Sequence, residues 1–433
     1  MFGLPKFGDG IALHRIERFF EQHAVDREQL SHRSIVVTGS NGKGSTSRFI
    51  AAALEASGHR AACFTSPHLF DVRERFLING ATIPDERFNA YAKRVLAFNA
   101  AQSDGDRIGS FEFLFLIAIL WFEDEKPDAI VWEAGIGGRY DPVRTVRARV
   151  SALTSIELEH TALLGATEEL IAYDKIDALA RDGTLIVSPS VPDSLTDRIR
   201  AYVRLSDRRA RFVSDTFETT GLTNRADGTR FTIVRSGRGA ERHDMHIRLI
   251  GGHQADNALT AFWAACAWRG VEPSPRTESA MLRGIGAARW PGRLERIATS
   301  PDLWIDVGHT PVALDVVTHA FADLAPRERT LVIFGVSSSK EINAIAATVA
   351  SRFDHFILTR ANKSGADIEA FMEAFTSRAS DVAIEPNIAA AARMAHHRAA
   401  AEGMTVLALG GLFLAVEIQH AWTGGDPATL DFL

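Results

Sequence analysis

Cysteine is scarce: Cys63 and Cys266 are the only two in 433 residues. Two thiols give no disulfide framework and no Cys-rich metal site, which fits a reducing compartment. Surplus positive charge is also missing. Lys and Arg number 48 against 54 Asp and Glu, a formal net charge of −6. That argues against a nucleic-acid surface, whose affinity comes from clustered Lys and Arg, while leaving room for a local anion site. No apolar run is long enough for a membrane helix of about 20 residues. The longest tight one, Phe113 to Phe122, reads as a buried helix. Met1 to Asp9 lacks the apolar core of a signal peptide. Internal repeats and low-complexity tracts are absent. These absences lead us to expect a cytoplasmic globular protein with small-molecule partners, and neither nucleic acid nor membrane among them.

What is present alternates. Leu13, Ile16 and Phe20 set one helical stripe beginning near Ile11. Strand-like runs follow at Ile35 to Val37, Ala61 to Phe64, Ala129 to Trp132, Ser151 to Ile156 and Thr184 to Val187, with helical patterns between them such as Phe111 to Phe122. Alternating strands and helices predict a parallel sheet covered on both faces. Residues 211–250 are more polar and carry turn signals at Ala226-Asp227-Gly228 and Ser236-Gly237, so they read as a small antiparallel insertion. Pro and Gly cluster from Glu272 to Pro291, placing a domain boundary near 285. Beyond it, five apolar runs (Leu303 to Val307, Thr330 to Phe334, His355 to Thr359, Val382 to Ile384, Thr405 to Leu409) alternate with helical patterns at Val312 to Leu324 and Glu341 to Phe353. The fold class is α/β. With a glycine-rich loop after its first strand, domain 1–285 is expected to be a P-loop domain with a parallel sheet, and domain 286–433 a Rossmann-like α/β domain. Ligands of open α/β sheets sit at the carboxyl ends of strands, so a cleft between the domains is the expected working site.

The most informative segment is Thr38-Gly39-Ser40-Asn41-Gly42-Lys43-Gly44-Ser45-Thr46, which follows a strand and opens a helix. Glycines let backbone N–H groups curl into one concavity suited to phosphate oxygens, and the helix N-terminus adds its dipole. Lys43 supplies a mobile cation. Ser45 or Thr46 offers a hydroxyl to magnesium. Only Ser40 and Asn41 separate Gly39 from Gly42, so this is a shorter variant of the usual phosphate loop. The plain alternative is a glycine-rich turn without a ligand.

Several segments, in order, resemble the Mur ligase family and its folylpolyglutamate synthase/dihydrofolate synthase branch. They are Gly39 to Thr46, Thr65-Ser66-Pro67-His68-Leu69, Phe111-Glu112, Glu133-Ala134-Gly135-Ile136-Gly137-Gly138-Arg139-Tyr140-Asp141, His160-Thr161 with Leu164-Gly165, and Ile171-Ala172 with Lys175. The likeness continues with Gly252-His253-Gln254 and Asn257, Trp290 to Glu295, Asp306 with Gly308-His309, and Gly410 to Ala415. It spans nearly the whole chain.

The resemblance implies an ATP-dependent ligase that phosphorylates a carboxylate and lets an amino acid's amine displace the phosphate, with glutamate added to dihydropteroate or a folate. It implies two magnesium ions, one held by Ser66, Glu133 and His160, the second with help from a Lys175 carbamylated by carbon dioxide. Gly39, Asn41, Gly42, Lys43, Gly44, Ser45, Thr46, Asn257 and Arg293 would bind ATP, and Asp306 would lie near the ribose. Lys43, Lys175 and His309 would serve catalysis, and domain 286–433 would bind the amino acid. A monomer is expected. From the residues alone, a turn serine, a salt-bridged Glu133, a structural His160, a surface lysine at 175 and an Arg293–Glu295 surface pair stay open.

Departures from the branch cluster where organic substrates would bind. Asp-Gly-Ala-His-Asn-Pro becomes Asp306-Val307-Gly308-His309-Thr310-Pro311, Asp-Ala-Thr-Asn becomes Asp141-Pro142-Val143-Arg144, and Asp-His becomes Glu159-His160. Glu-Lys-Ala-Gly-Ile becomes Tyr173-Asp174-Lys175-Ile176-Asp177, Asp-Lys-Asp becomes Ser339-Lys340-Glu341, and a final Gly-Ser becomes Gly410-Gly411. Two alternatives therefore stand beside the folate reading: a related ligase with a non-folate acceptor or another amino acid, and a non-catalytic nucleotide-binding regulator.

Overall fold

The computed structural model describes residues 4–5, 7–236, 241–337 and 342–430. Ser339-Lys340-Glu341 and Gly237 of the expected turn lie outside the described residues. The chain forms two compact units. One comprises residues 1–221, 231–245 and 253–288, the other 222–230, 246–252 and 289–433. The helix Ser279–Ala287 runs through position 285 and belongs wholly to the first unit.

The first unit is built on eight strands: β1 Ser34–Thr38, β2 Ala61–Phe64, β3 Phe76–Ile78, β4 Ala81–Thr82, β5 Ala129–Glu133, β6 Val150–Leu153, β7 Thr184–Val187 and β8 Arg209–Phe212. Their order is β4-β3-β2-β5-β1-β6-β7-β8. β2, β5, β1, β6, β7 and β8 run parallel, while β3 and β4 add an antiparallel edge. β1 and β5 are buried along their whole length, as expected of strands covered on both faces. Residues 209–212 pair with β7. The antiparallel piece expected at 211–250 therefore starts later, as β9 Phe217–Arg225, β10 Gly228–Arg235 and β11 Glu241–Ile247 in order β11-β10-β9.

The second unit's sheet holds β12 Glu295–Thr299, β13 Asp302–Ile305, β14 Thr330–Phe334, β15 His355–Arg360, β16 Asp381–Asn387 and β17 Thr405–Leu409, ordered β12-β13-β17-β14-β15-β16. Five of these carry the five expected apolar runs. β12 is the addition, pairing antiparallel with β13 at the edge.

Trp132 on β5 is fully buried and lies against Phe64, Phe115 and Phe122, with ring centroids 5.2–6.0 Å apart. The last two come from the helix Ser110–Glu125, which is apolar almost all round and buried, as the uninterrupted run required. The first helix begins at His14 rather than Ile11. It is tied to Ser110–Glu125 by a buried ion pair: Arg15 Nη2 lies 3.1 Å from Glu112 Oε1, whose partner oxygen Oε2 caps the Gly109 N–H at 2.7 Å. Removing one member of such a pair strands the other charge in low dielectric. Glu112→Gln should therefore lower unfolding free energy by about 3 kcal/mol, read as a lower urea midpoint with an unchanged slope.

Candidate functional site

β2, β5, β1 and β6 are neighbours, and the loops leaving their carboxyl ends carry most of the expected site. β1 ends at Thr38, and the chain turns through Gly39 at φ 144° and Gly42 at φ 81° before the helix Lys43–Ala56. Both positions need glycine. A Cβ on Gly39 would sit 1.9 Å from Thr154 Oγ1, and one on Gly42 would sit 2.6 Å from Asn257 Oδ1. Asn257, buried on the helix Gly252–Arg269, thus lies against the loop.

Two ammonium groups meet at one backbone oxygen. Lys43 Nζ donates to the Gly39 carbonyl at 2.8 Å and to that of Ser40 at 3.1 Å, and Lys175 Nζ donates to the same Gly39 carbonyl at 2.9 Å. Lys175 is 1% exposed, which removes the surface-lysine alternative. Its ammonium is 2.7 Å from Glu159 Oε1. Burial, with Lys43 adding repulsion, pushes the Lys175 pKa down to about 8, against the attraction of Glu159. Burial works upward on Glu159, yet Lys175 and Lys43 together hold its carboxyl below the usual range.

The side-chain hydroxyls of Ser45 and Thr46 are buried and find no hydrogen-bond partner among the described residues. An unmet buried hydroxyl is costly, and phosphate oxygens or a magnesium ion at the helix N-terminus would satisfy these two. Glu133, 3% exposed at the end of β5, accepts the Ser66 N–H through Oε2 at 2.9 Å. This joins two of the expected metal residues. His160 sits at φ 46° before the short helix Thr161–Leu164 and is exposed. Among the described residues no group of three or more His, Cys, Asp or Glu side chains forms a metal cage. Magnesium commonly takes one or two carboxylates and completes its shell with water and phosphate, so Glu133 with Ser66 fits that ion's chemistry.

Sequence reasoning missed the supports around these residues. Asp141 is buried and accepts N–H groups of Gly135 and Ile136 through Oδ2, at 2.8 and 3.0 Å, and of Val143 through Oδ1. Asp174, next to Lys175, accepts the Gly138 N–H at 2.9 Å. His68 is buried beside Ser66 and accepts the Arg75 Nε–H at 2.8 Å; burial and then Arg75 lower its pKa to about 4, so the ring is neutral at pH 7. The signal for all of these was a polar residue inside or beside a motif.

The remaining expected residues lie in the second unit. Asp306, buried at the end of β13, accepts the N–H groups of Leu294 at 2.8 Å and Gly308 at 2.6 Å. It holds the turn that presents Arg293, whose guanidinium bonds the Gly292 carbonyl at 3.2 Å. Glu295 instead accepts the Gly292 N–H at 2.8 Å. His309 is exposed, with Nδ1 3.4 Å from the Val307 carbonyl.

Residues 292–412 match the family described as Mur ligase, glutamate ligase domain. The folylpolyglutamate synthase of Lacticaseibacillus casei is 31% identical over 335 residues, 76% of this chain and 77% of that protein. The chain belongs to the folylpolyglutamate synthase family. A probable bifunctional folylpolyglutamate synthase/dihydropteroate synthase of Halobacterium salinarum is 31% identical over 90% of this chain, which spans only 47% of that protein's length. Among solved structures, a Mycobacterium tuberculosis folylpolyglutamate synthase complexed with ADP and AMPPCP matches with a TM-score of 0.85 at 25% identity, over 96% of both chains.

The lowered Lys175 pKa sets a pH dependence. Between the folded value of about 8 and the unfolded 10.5, the unfolded chain binds the extra proton, so stability rises with pH across that window. The cost of holding the buried ammonium is fully present below pH 8. Relative to Lys175→Met, wild type should gain about 3 kcal/mol between pH 8 and 10.5, measured by denaturant unfolding at both ends.

Proposed function

We propose that the chain is an ATP- and magnesium-dependent ligase that joins an acceptor carboxylate, of a dihydropteroate or folate, to glutamate through an acyl-phosphate. The observation that carries this reading is the convergence of Lys43 and Lys175 on the Gly39 carbonyl, beside two unmet buried hydroxyls at a helix N-terminus. Family membership supports it, as does the ADP and AMPPCP bound by the Mycobacterium tuberculosis relative.

A carboxylate and an ammonium do not condense at neutral pH, because an oxygen has to leave. Phosphorylation by ATP converts that oxygen into a phosphate leaving group, the amine attacks the acyl carbon, and phosphate departs. Transfer of the phosphoryl group is governed by positioning and charge neutralisation. In this chain the curled backbone from Gly39 to Thr46 would receive the phosphates, and Lys43 would leave its carbonyl partners to meet them. Asn257 supports the loop from behind Gly42. Ser66, Glu133 and His160 would hold magnesium, which when bound supplies positive charge against the phosphates. A second ion would lie by Lys175. The lysine's low pKa leaves a share of neutral amine near pH 7, the form that carbon dioxide carbamylates. In the second unit, Arg293 and Asp306 would contact the nucleotide and His309 would serve the reaction, the unit as a whole binding the amino acid. We assign the enzyme to the cytoplasm as a monomer.

A second reading, a non-folate acceptor, draws on Arg144. Its guanidinium is exposed and anchored at 2.7 Å on the Arg139 carbonyl, within the loop that follows Glu133. Phosphate release from ATP should require both an acceptor and an amino acid. Lys43→Ala should cut kcat/KM by about a hundredfold or more, in line with the loss of one electrostatic stabiliser of the transferred group. Release with glutamate and dihydropteroate or a folate supports the first reading. Release only with another acid supports the second, and none with any pair would refute ligation.

A further inference from the structure

The segment after β6 braces the phosphate loop along its length. Thr154 Oγ1 lies 2.5 Å from the Asn41 carbonyl, Ser155 Oγ accepts the Asn41 N–H at 2.9 Å, and the Ser155 carbonyl accepts the Ser40 N–H at 2.9 Å. Glu157 completes the brace. Its Oε1 accepts Asn41 Nδ2 at 2.6 Å, and its N–H donates to Ser40 Oγ at 3.0 Å.

A carboxylate here is an odd neighbour for an anion cradle. Four carboxylates, those of Asp141, Glu157, Glu159 and Asp174, act electrostatically on one or both of the ammonium groups of Lys43 and Lys175. Asp141 and Asp174 are held by backbone N–H groups, and Glu159 is paired with Lys175. Glu157 has a neutral amide as its side-chain partner. A di- or triphosphate on this loop would bring further negative charge, and like charges repel more strongly in a half-buried site than in water. Two ammonium groups already facing four carboxylates leave that charge under-compensated.

Resting on the nucleotide reading above, we propose that Glu157 is a positioning residue of the phosphate loop that makes nucleotide binding depend on a divalent cation. Its oxygen fixes the Asn41 amide, and its charge turns away a nucleotide that arrives without a metal ion. The selection acts at binding, before any acceptor or amino acid is present.

The test is calorimetric titration of ADP, with magnesium chloride and again with EDTA, on wild type, Glu157→Gln and Glu157→Asp. Glutamine keeps an acceptor oxygen towards Asn41 and removes the charge; aspartate keeps the charge and shortens the reach. In Glu157→Gln, metal-free affinity should rise about tenfold, narrowing the ratio of metal-free to magnesium-loaded Kd by a similar factor. Glu157→Asp should keep the wild-type ratio. An unchanged ratio in Glu157→Gln overturns the proposal, as does an equal narrowing in Glu157→Asp, which would make geometry rather than charge the cause. Failure of wild type to bind ADP with magnesium would instead overturn the nucleotide reading itself.

Discussion

On the proposed reading, N–H groups at the start of the helix Lys43–Ala56 would face the phosphates, since those of Ser40 and Asn41 are given to Ser155, and the carbonyl oxygens of the loop find donors elsewhere. Here the Gly39 oxygen finds two, the ammonium groups of Lys43 and Lys175. Rotating that peptide the other way would aim an oxygen at the incoming phosphate and leave Lys175 buried with one partner fewer. The glycine at 39 follows from the same constraint, because the backbone there is left-handed at φ 144° and a Cβ would strike Thr154. One oxygen therefore ties the end of β1 to the helices Lys43–Ala56 and Glu168–Ile176, and Lys175 carries the link on to Glu159 after β6. The lysine paired with Glu159 at one end reports on the loop at the other.

A complementary device recurs in several loops that leave the carboxyl ends of strands. Such backbone carries buried N–H groups that no sheet or helix satisfies, and a buried carboxylate can accept two or three of them. Asp141 does so for residues 135–143, Asp174 for Gly138 and Asp306 for the Leu294 and Gly308 amides. In the second unit Glu417, fully buried, does the same for Asn362 and Lys363. These acids stand in for regular hydrogen bonding and hold loops still without lengthening any strand. In the first unit the cost is negative charge close to the place that, on the proposed reading, would receive phosphates, and this would give cations there, whether lysine or metal, their leverage.

Strands buried on both faces announced themselves as short apolar runs, and β1, β2, β5, β6, β7 and the four inner strands of the second unit, β13, β14, β15 and β17, were legible for that reason, while the edge strand β16 showed through Val382 to Ile384. The strands that escaped are β3, β4, β8 and β12, at or next to a sheet edge; β3 and β4 are only three and two residues long, and in β8 the exposed Arg209 and Arg211 break the apolar signal. The glycine-rich turn between β1 and the helix Lys43–Ala56 was legible because its glycines, its lysine and its hydroxyls are contiguous. Its braces were not. Ser155 and Glu157 meet Asn41 across more than a hundred residues of sequence, and pairing at that separation leaves no local pattern. Lys175 lies between these cases: its place in a motif was visible, but its burial depended on Glu159 and Gly39 from other strands.

The departures from the family pattern also separate once their contacts are known. In Tyr173-Asp174-Lys175-Ile176-Asp177, Asp174 anchors the Gly138 N–H, while Asp177 accepts Arg139 Nε at 2.8 Å, Arg208 at 3.1 Å and the Tyr202 hydroxyl at 3.0 Å. Tyr173 stacks on Tyr202 with centroids 4.1 Å apart. These substitutions answer one another inside the protein and explain themselves without any change of substrate. Arg139, pinned by Asp177, has its Nε committed to this network. Tyr140, 58% exposed, and Arg144 belong to the same loop but present their side chains to solvent. In this loop the physical case for an acceptor other than a folate therefore rests on Arg144, a cation beside the exposed Tyr140 on backbone that Asp141 and Asp174 hold. On the proposed reading, a held loop that presents an altered, exposed Arg144 would change what is recognised while leaving the phosphate site at its foot as it is.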